Sequence, residues 1–204
     1  MKYIILILLT LGLLSGCEPK DNFIDTGISY GVHNCTMFEY LQMDLKNWDL
    51  TIELIRKAKM ESYFEGKESG LEQITFLAPP SLSILRYLME NELKTVNELD
   101  EAQCREFLLR HIIKGRIMKE DIAFRIPEIS LEIKGGTMVE CLGGNQLKLY
   151  LEQEEWGGVS DAGAIHLFVY SLDKKRFVPM ATPNLQTNTG IVHALNYNFT
   201  LGNI

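Results

Sequence analysis

Imidazoles, thiols, carboxylates and indoles are the groups through which this chain could catalyse, ligate or recognise. Its four histidines are His33, His111, His166 and His193. They are scattered, with no His-Glu-x-x-His spacing, so they do not assemble a metal site. His111 falls on an apolar helical stripe with Cys104, Phe107, Leu108 and Ile112. A neutral imidazole there donates one hydrogen bond and accepts another inside a core. His193 shares parity with Ile191 and Leu195 and is also expected to point inward. Beyond Cys17 the thiols are Cys35, Cys104 and Cys141. An odd number gives no disulfide framework, and no Cys-x-x-Cys spacing offers zinc a site. Buried thiols are expected, although one pair could form in an oxidising compartment. There is no Gly-x-Ser-x-Gly elbow. Gly135-Gly136 and Gly143-Gly144 flank short strands and read as turns, not phosphate cradles. A glycosidase needs only two facing carboxylates, and nothing promotes a particular pair. The expectation is no catalytic residue, no metal and no cofactor.

Recognition is the stronger idea. In Glu152-Gln153-Glu154-Glu155-Trp156-Gly157-Gly158 an aromatic is flanked by acids and glycines. Trp156 could stack on a sugar ring while Glu154 and Glu155 accept its hydroxyls; the alternative is that Trp156 folds back on the domain. The formal charge of −7, without a basic cluster, repels phosphate backbones and argues against nucleic acid.

The elements that must position these groups are helices first and strands afterwards. Residues 36–45 read as a short helix, and Asn47 as the cap of a second running from Trp48 to about Met60. Ile74 to Ala78 reads as a buried strand stopped by Pro79-Pro80. Ser81 then starts a helix carrying Leu82, Leu85 and Leu88. Asp100 with Gln103 is a capping-box pattern, and Gly115 reads as the stop of the helix that follows. After Pro127 the texture alternates: Ile129-Leu131-Ile133, Leu147-Leu149-Leu151 and Ile165-Leu167-Val169. Asp173-Lys174 marks a hairpin turn. The last run puts Ile191, His193, Leu195, Tyr197, Phe199 and Leu201 on one face. This pattern implies an α+β domain with helices packed on an antiparallel sheet system.

At the start, Lys2 precedes an apolar run from Tyr3 to Leu14 that is short for a membrane span and suits a secretory signal. Leu14-Ser15-Gly16-Cys17 resembles the lipobox of bacterial lipoproteins, in which the cysteine is acylated and becomes residue one after cleavage. The resemblance implies lipidation at Cys17 and membrane attachment through it. Glu18 and Asp21 resemble surface-export signals of some Gram-negative lipoproteins, implying an outer-membrane, surface-exposed protein. Residues 1–17 are then the signal, 18–33 a polar tether and 34–204 the domain.

Three segments together resemble the fasciclin domain. Ile74-Thr75-Phe76-Leu77-Ala78-Pro79-Pro80-Ser81 is similar to that family's strand-to-helix opening, with Leu77 as an extra residue or a shift. Leu108-Leu109-Arg110-His111-Ile112-Ile113-Lys114-Gly115 is similar to its Tyr-His segment, with Arg110 replacing the tyrosine. Thr187-Asn188-Thr189-Gly190-Ile191-Val192-His193-Ala194-Leu195-Asn196 resembles its second signature, with Thr189 inserted. The resemblance implies a helical layer packed on a wedge-shaped β-strand core, with His111, His193, Asn188 and Gly190 as structural signature residues. It also implies an adhesion or ligand-recognition role, with the ligand, glycan or protein, unknown. Some animal members use an Asp-Ile pair for integrin contact; the matching place here is Asn184-Leu185, which lacks the carboxylate. Glu152 to Met180 is longer than the family usually needs and is expected to add a loop and hairpin. An assembly or scaffolding role inside the envelope, through a sheet edge or helical face, is the alternative function.

Overall fold

The computed structural model describes residues 31–126 and 133–204. Cys17, the signal, most of the tether and the alternation at Ile129 and Leu131 lie outside the described residues. Gly31–Ile204 forms one compact unit.

The first third is helical because its ends are capped and its faces segregated. Helix α1 (Met37–Met43) starts at a capping box, Thr36 Oγ1 accepting from Glu39 N at 3.2 Å and Glu39 returning to Thr36 N at 2.8 Å. The chain breaks at Asp44, and α2 (Leu45–Lys57) begins there. Asn47 therefore sits inside α2, its amide donating to Asp44, and is not the cap. The buried residues of α2 include Trp48, Ile52 and Ile55, as the helical period requires. A short α3 (Glu61–Phe64) leads to strand β1 (Ile74–Ala78).

Helix α4 (Ser81–Glu90) buries Ser81, Ser83, Ile84 and Leu88. Leu82 and Leu85 are exposed, and of the helix's three leucines only Leu88 enters the core. The inward stripe is set by small serines that let neighbours approach: Ser81 Oγ donates to Asp49 of α2, and Ser83 O accepts from Leu201 N.

Helix α5 (Glu101–Leu109) starts at the expected Asp100–Gln103 capping box. It ends earlier than Gly115, because Ile112–Lys114 form β2 and pair antiparallel with β1. β-Branched residues beside an open strand gain more from the ladder than from another helical turn. Gly115, at φ +86, terminates the strand instead.

The remaining strands are β3 (Arg125–Ile126), β4 (Lys134–Gly135), β5 (Thr137–Glu140), β6 (Gln146–Gln153), β7 (Ile165–Ser171), β8 (Arg176–Thr187) and β9 (Gly190–Leu195). Seven of the nine form a sheet in the order β2-β1-β9-β8-β7-β6-β5, and β3 pairs with β4. The sheet is mixed, not wholly antiparallel, since β1 and β9 run parallel. A parallel neighbour needs a long crossover, and everything between residues 78 and 190 supplies it. An Ile113–Cys141 bridge and a Leu142 N–H to Ile112 O bond of 2.8 Å bring the two ends together, so the sheet forms a near barrel.

Two cores result. Phe76, Ala78, Val192 and Ala194 face the helices, while Leu77 and Leu195 join Leu149, Leu151, Leu167 and Val169 inside the barrel. Each fully buried aliphatic side chain contributes roughly 1.5–3 kcal/mol. The parity of the last run stops at Leu195. Asn196 Oδ1 accepts from Asn198 N in a tight turn that leaves Tyr197 exposed. Phe199, Leu201 and Ile204 then reach the cores as an irregular tail.

Candidate functional site

The imidazoles most able to catalyse are committed to the backbone. His111, 1% exposed, donates from Nδ1 to Phe107 O at 2.7 Å, and its ring meets Phe199 edge-on. His193, fully buried, donates from Nε2 to Ile117 O at 2.9 Å and accepts at Nδ1 from Asn184 N. Burial lowers both to about 4, which keeps them neutral at neutral pH. The first lies where α5 turns into β2 and the second inside the barrel, each within packed residues. Burial also pushes the thiols of Cys104 and Cys141 up, to about 11 and about 12, far from the reactive range. All three described cysteines are free. Among the described residues no cluster of three or more His, Cys, Asp or Glu could hold a metal.

The signature positions have geometric reasons. Gly190, at φ +147, pairs with Ile74, and a Cβ there would lie 1.8 Å from Ile74 O. Asn188 donates from its backbone to Cys35 O and accepts on its carbonyl from Gln73. The inserted Thr189 bonds Phe64 O and Met37 N through its hydroxyl, tying two helices to the sheet. Arg110, in place of the tyrosine, reaches Ile204 O at 2.7 Å and Asp173 at 3.0 Å, latching the C-terminal tail to the β7–β8 turn. Asn184 has a positive φ of 62 and holds Glu120 and Lys119 N with its side chain. That position is consumed internally.

The peripheral residues are arranged differently. Trp156 and Val159 exchange two backbone hydrogen bonds of 3.0 Å across Gly157-Gly158. Both glycines have positive φ, 61 and 81. This is the two-residue turn that glycine permits without strain. A built hairpin tip therefore carries Trp156, which is 73% exposed and does not fold back on the domain. Beside it lies a hollow of about 510 Å³ lined by Glu152, Gln153, Glu154, Glu155, His166 and Phe168. The loop behind is fastened by Glu154 N to Ala164 O and Gln153 Nε2 to Gly163 O.

Within the hollow, Phe168 stacks on Tyr150 at 5.3 Å with ring planes 13° apart. Arg125 approaches Glu152 at 3.6 Å. His166 Nε2 comes within 3.0 Å of a Glu154 oxygen without the angle of a hydrogen bond. The structure thus gathers Glu154 and Glu155 into the lining, with Trp156 following them in the chain on the exposed hairpin tip. Glu152 of the same segment lines the hollow too, and the structure adds His166 and Phe168, which the sequence reading missed. Their signal was the parity opposite to Leu167 and Val169, which puts His166 and Phe168 on the outward face of β7.

A near barrel whose imidazoles serve its own backbone, with polar and aromatic groups gathered at the rim, is a binding scaffold. Residues 46–199 match the family model described as the Fasciclin domain, and the chain belongs to that family. Fasciclin domains are cell-adhesion modules and are generally non-enzymatic. The chain is also similar to a FAS1 domain pair from the insect cell adhesion molecule Fasciclin I. That likeness has 14% identity and a TM-score of 0.45, covering 81% of this chain and 46% of the other. The chain thus spans about half the length of that structure. No curated protein matches the chain. No helix among the described residues is long and apolar enough to cross a membrane.

Proposed function

We propose that this chain is a lipid-anchored adhesion module of the bacterial cell envelope that binds a glycan at the rim formed by the β6–β7 loop. The observation that carries the reading is Trp156 held 73% exposed on a glycine turn beside a carboxylate- and aromatic-lined hollow. An indole offers a flat apolar face to a sugar ring, and Glu154 and Glu155 accept hydroxyl hydrogens around it. Membrane attachment through Cys17 and display at the outer-membrane surface rest on the lipobox resemblance and the acids behind it. The test is a glycan array probed with wild type and Trp156→Ala. Loss of a selective signal in the variant supports the reading, and identical profiles remove Trp156 from it. Protease shaving of intact cells tests display, and an inaccessible protein contradicts it.

An assembly or scaffolding role is favoured by one different observation. Leu82, Leu85 and Met89 form an exposed stripe on α4, 56%, 41% and 71% accessible. Substituting Leu85 and Met89 by serine separates the readings: scaffolding loses its protein partner, whereas glycan binding is untouched.

A further inference from the structure

The hollow is the end of a longer surface. In β5 to β8, alternate residues fill the barrel and the others, apart from the covered Tyr150, face outward. The register aligns the outward ones in rows across the strands. Tyr150 of β6 stands opposite Phe168 of β7, which stands opposite Pro179 of β8. Next to this row, Met138, Lys148, Tyr170 and Phe177 are aligned in the same way. Tyr170 and Phe177 touch at 4.9 Å between ring centroids. Phe177 is 55% exposed and Met138 49%. Successive rows on one face of a strand lie about 7 Å apart. The platform therefore runs from the carboxylates at Glu152 and Glu154, past Phe168, to Tyr170 and Phe177 beside the β7–β8 turn.

We infer that this face is the binding platform for an extended, uncharged polysaccharide chain, so that the module reads internal stretches of glycan and not a single terminal sugar. The inference rests on the glycan reading above and deepens it. Three features choose the occupant. The aromatic side chains are ranked along β7 and β8 in consecutive rows, which suits a repeating ligand better than a compact one. The hollow carries Glu152, Glu154 and Glu155 beside Arg125, whereas the exposed Lys174, Lys175 and Arg176 flank the Phe177 end, so a uniformly charged chain meets like charge at one end or the other. Lys148, between the two ends, donates to Ile133 O at 2.5 Å. Hydroxyls meet acceptors at the Glu152–His166 end and apolar ring faces beyond it, the alternation a pyranose chain presents.

The test is titration calorimetry of the purified full chain with cello- and manno-oligosaccharides, from disaccharide to hexasaccharide. The expected result is affinity rising about tenfold along one ladder, with Phe177→Ala abolishing most of that rise and Phe177→Tyr retaining it. Circular dichroism of Phe177→Ala checks the fold, which an exposed side chain does not control. Length-independent binding, or a wild-type rise in Phe177→Ala, overturns the extended platform while leaving the hollow at Trp156 as the site. No binding at any length, with a glycan array that still depends on Trp156, likewise confines recognition to the hollow. A blank array as well sinks both.

Discussion

Strands β1 and β9 are buried along their whole length on both faces, whereas β7, two positions beyond β9 in the same sheet order, is buried on one face only. The contrast divides the molecule's labour. β1 and β9 separate the helical core from the barrel core, so every side chain on them packs and none can meet a partner. On β7 the inward residues, Leu167 and Val169, hold the barrel, which frees His166, Phe168 and Tyr170 to face outward. Chemistry-bearing residue types therefore mean different things by location. An imidazole at His193 is a spacer between Ile117 O and Asn184 N; one at His166 lines a hollow.

The largest break in that contrast comes from Gly190→Ala. With a Cβ 1.8 Å from Ile74 O, β9 cannot keep its register. A destabilisation of at least about 4 kcal/mol is expected, seen as loss of folded protein on expression. Normal folding would show that the parallel pair can shift.

Acid is the next lever. His111 and His193 are held near 4 in the folded chain against about 6.5 when unfolded. The unfolded state therefore takes up protons first as pH falls through 6.5. Stability present above that value is lost toward pH 4, at roughly 1.4 kcal/mol per pH unit for each histidine. Urea denaturation across this window should show the slope, and His193→Phe should roughly halve it. A flat profile would mean the imidazoles are more solvated than their burial implies.

Smaller effects sharpen the picture at the edges. Arg110→Tyr, restoring the family's residue, removes the ties to Ile204 O and Asp173. It should cost about 1–2 kcal/mol, part of it at a half-exposed carboxylate that contributes little. Replacing Phe177 by alanine should change thermal stability least, within about 0.5 kcal/mol, because the side chain faces water.

The legibility of the chain followed the same division. Where one face is buried, period-two alternation was readable, as in Leu147-Leu149-Leu151 and Leu167-Val169. On β9, the reading carried parity past Leu195 to Tyr197, because an apolar tail succeeds the strand and the Asx turn at Asn196 carries no hydrophobic signal. The helix before β2 was read too long, since Ile112 and Ile113 satisfy the helical stripe equally well and only pairing with β1 decides. On α4 the composition does not say which face is buried, because Ser81 and Ser83 look like surface residues and only the contacts with Asp49 and Leu201 place them inward. Trp156, Glu154 and Glu155 were visible as a local motif. Phe168 and His166 joined them only through strand register, which acts across residues far apart in sequence.

Structure and recognition are separable in this account, and one paired measurement tests that most directly: glycan binding and urea stability of Trp156→Ala beside those of His193→Phe. Trp156→Ala is expected to lose the ligand at unchanged stability, while His193→Phe changes the pH dependence of stability and still binds. A Trp156→Ala protein that binds normally, or a His193→Phe protein that is stable yet no longer binds, would contradict it.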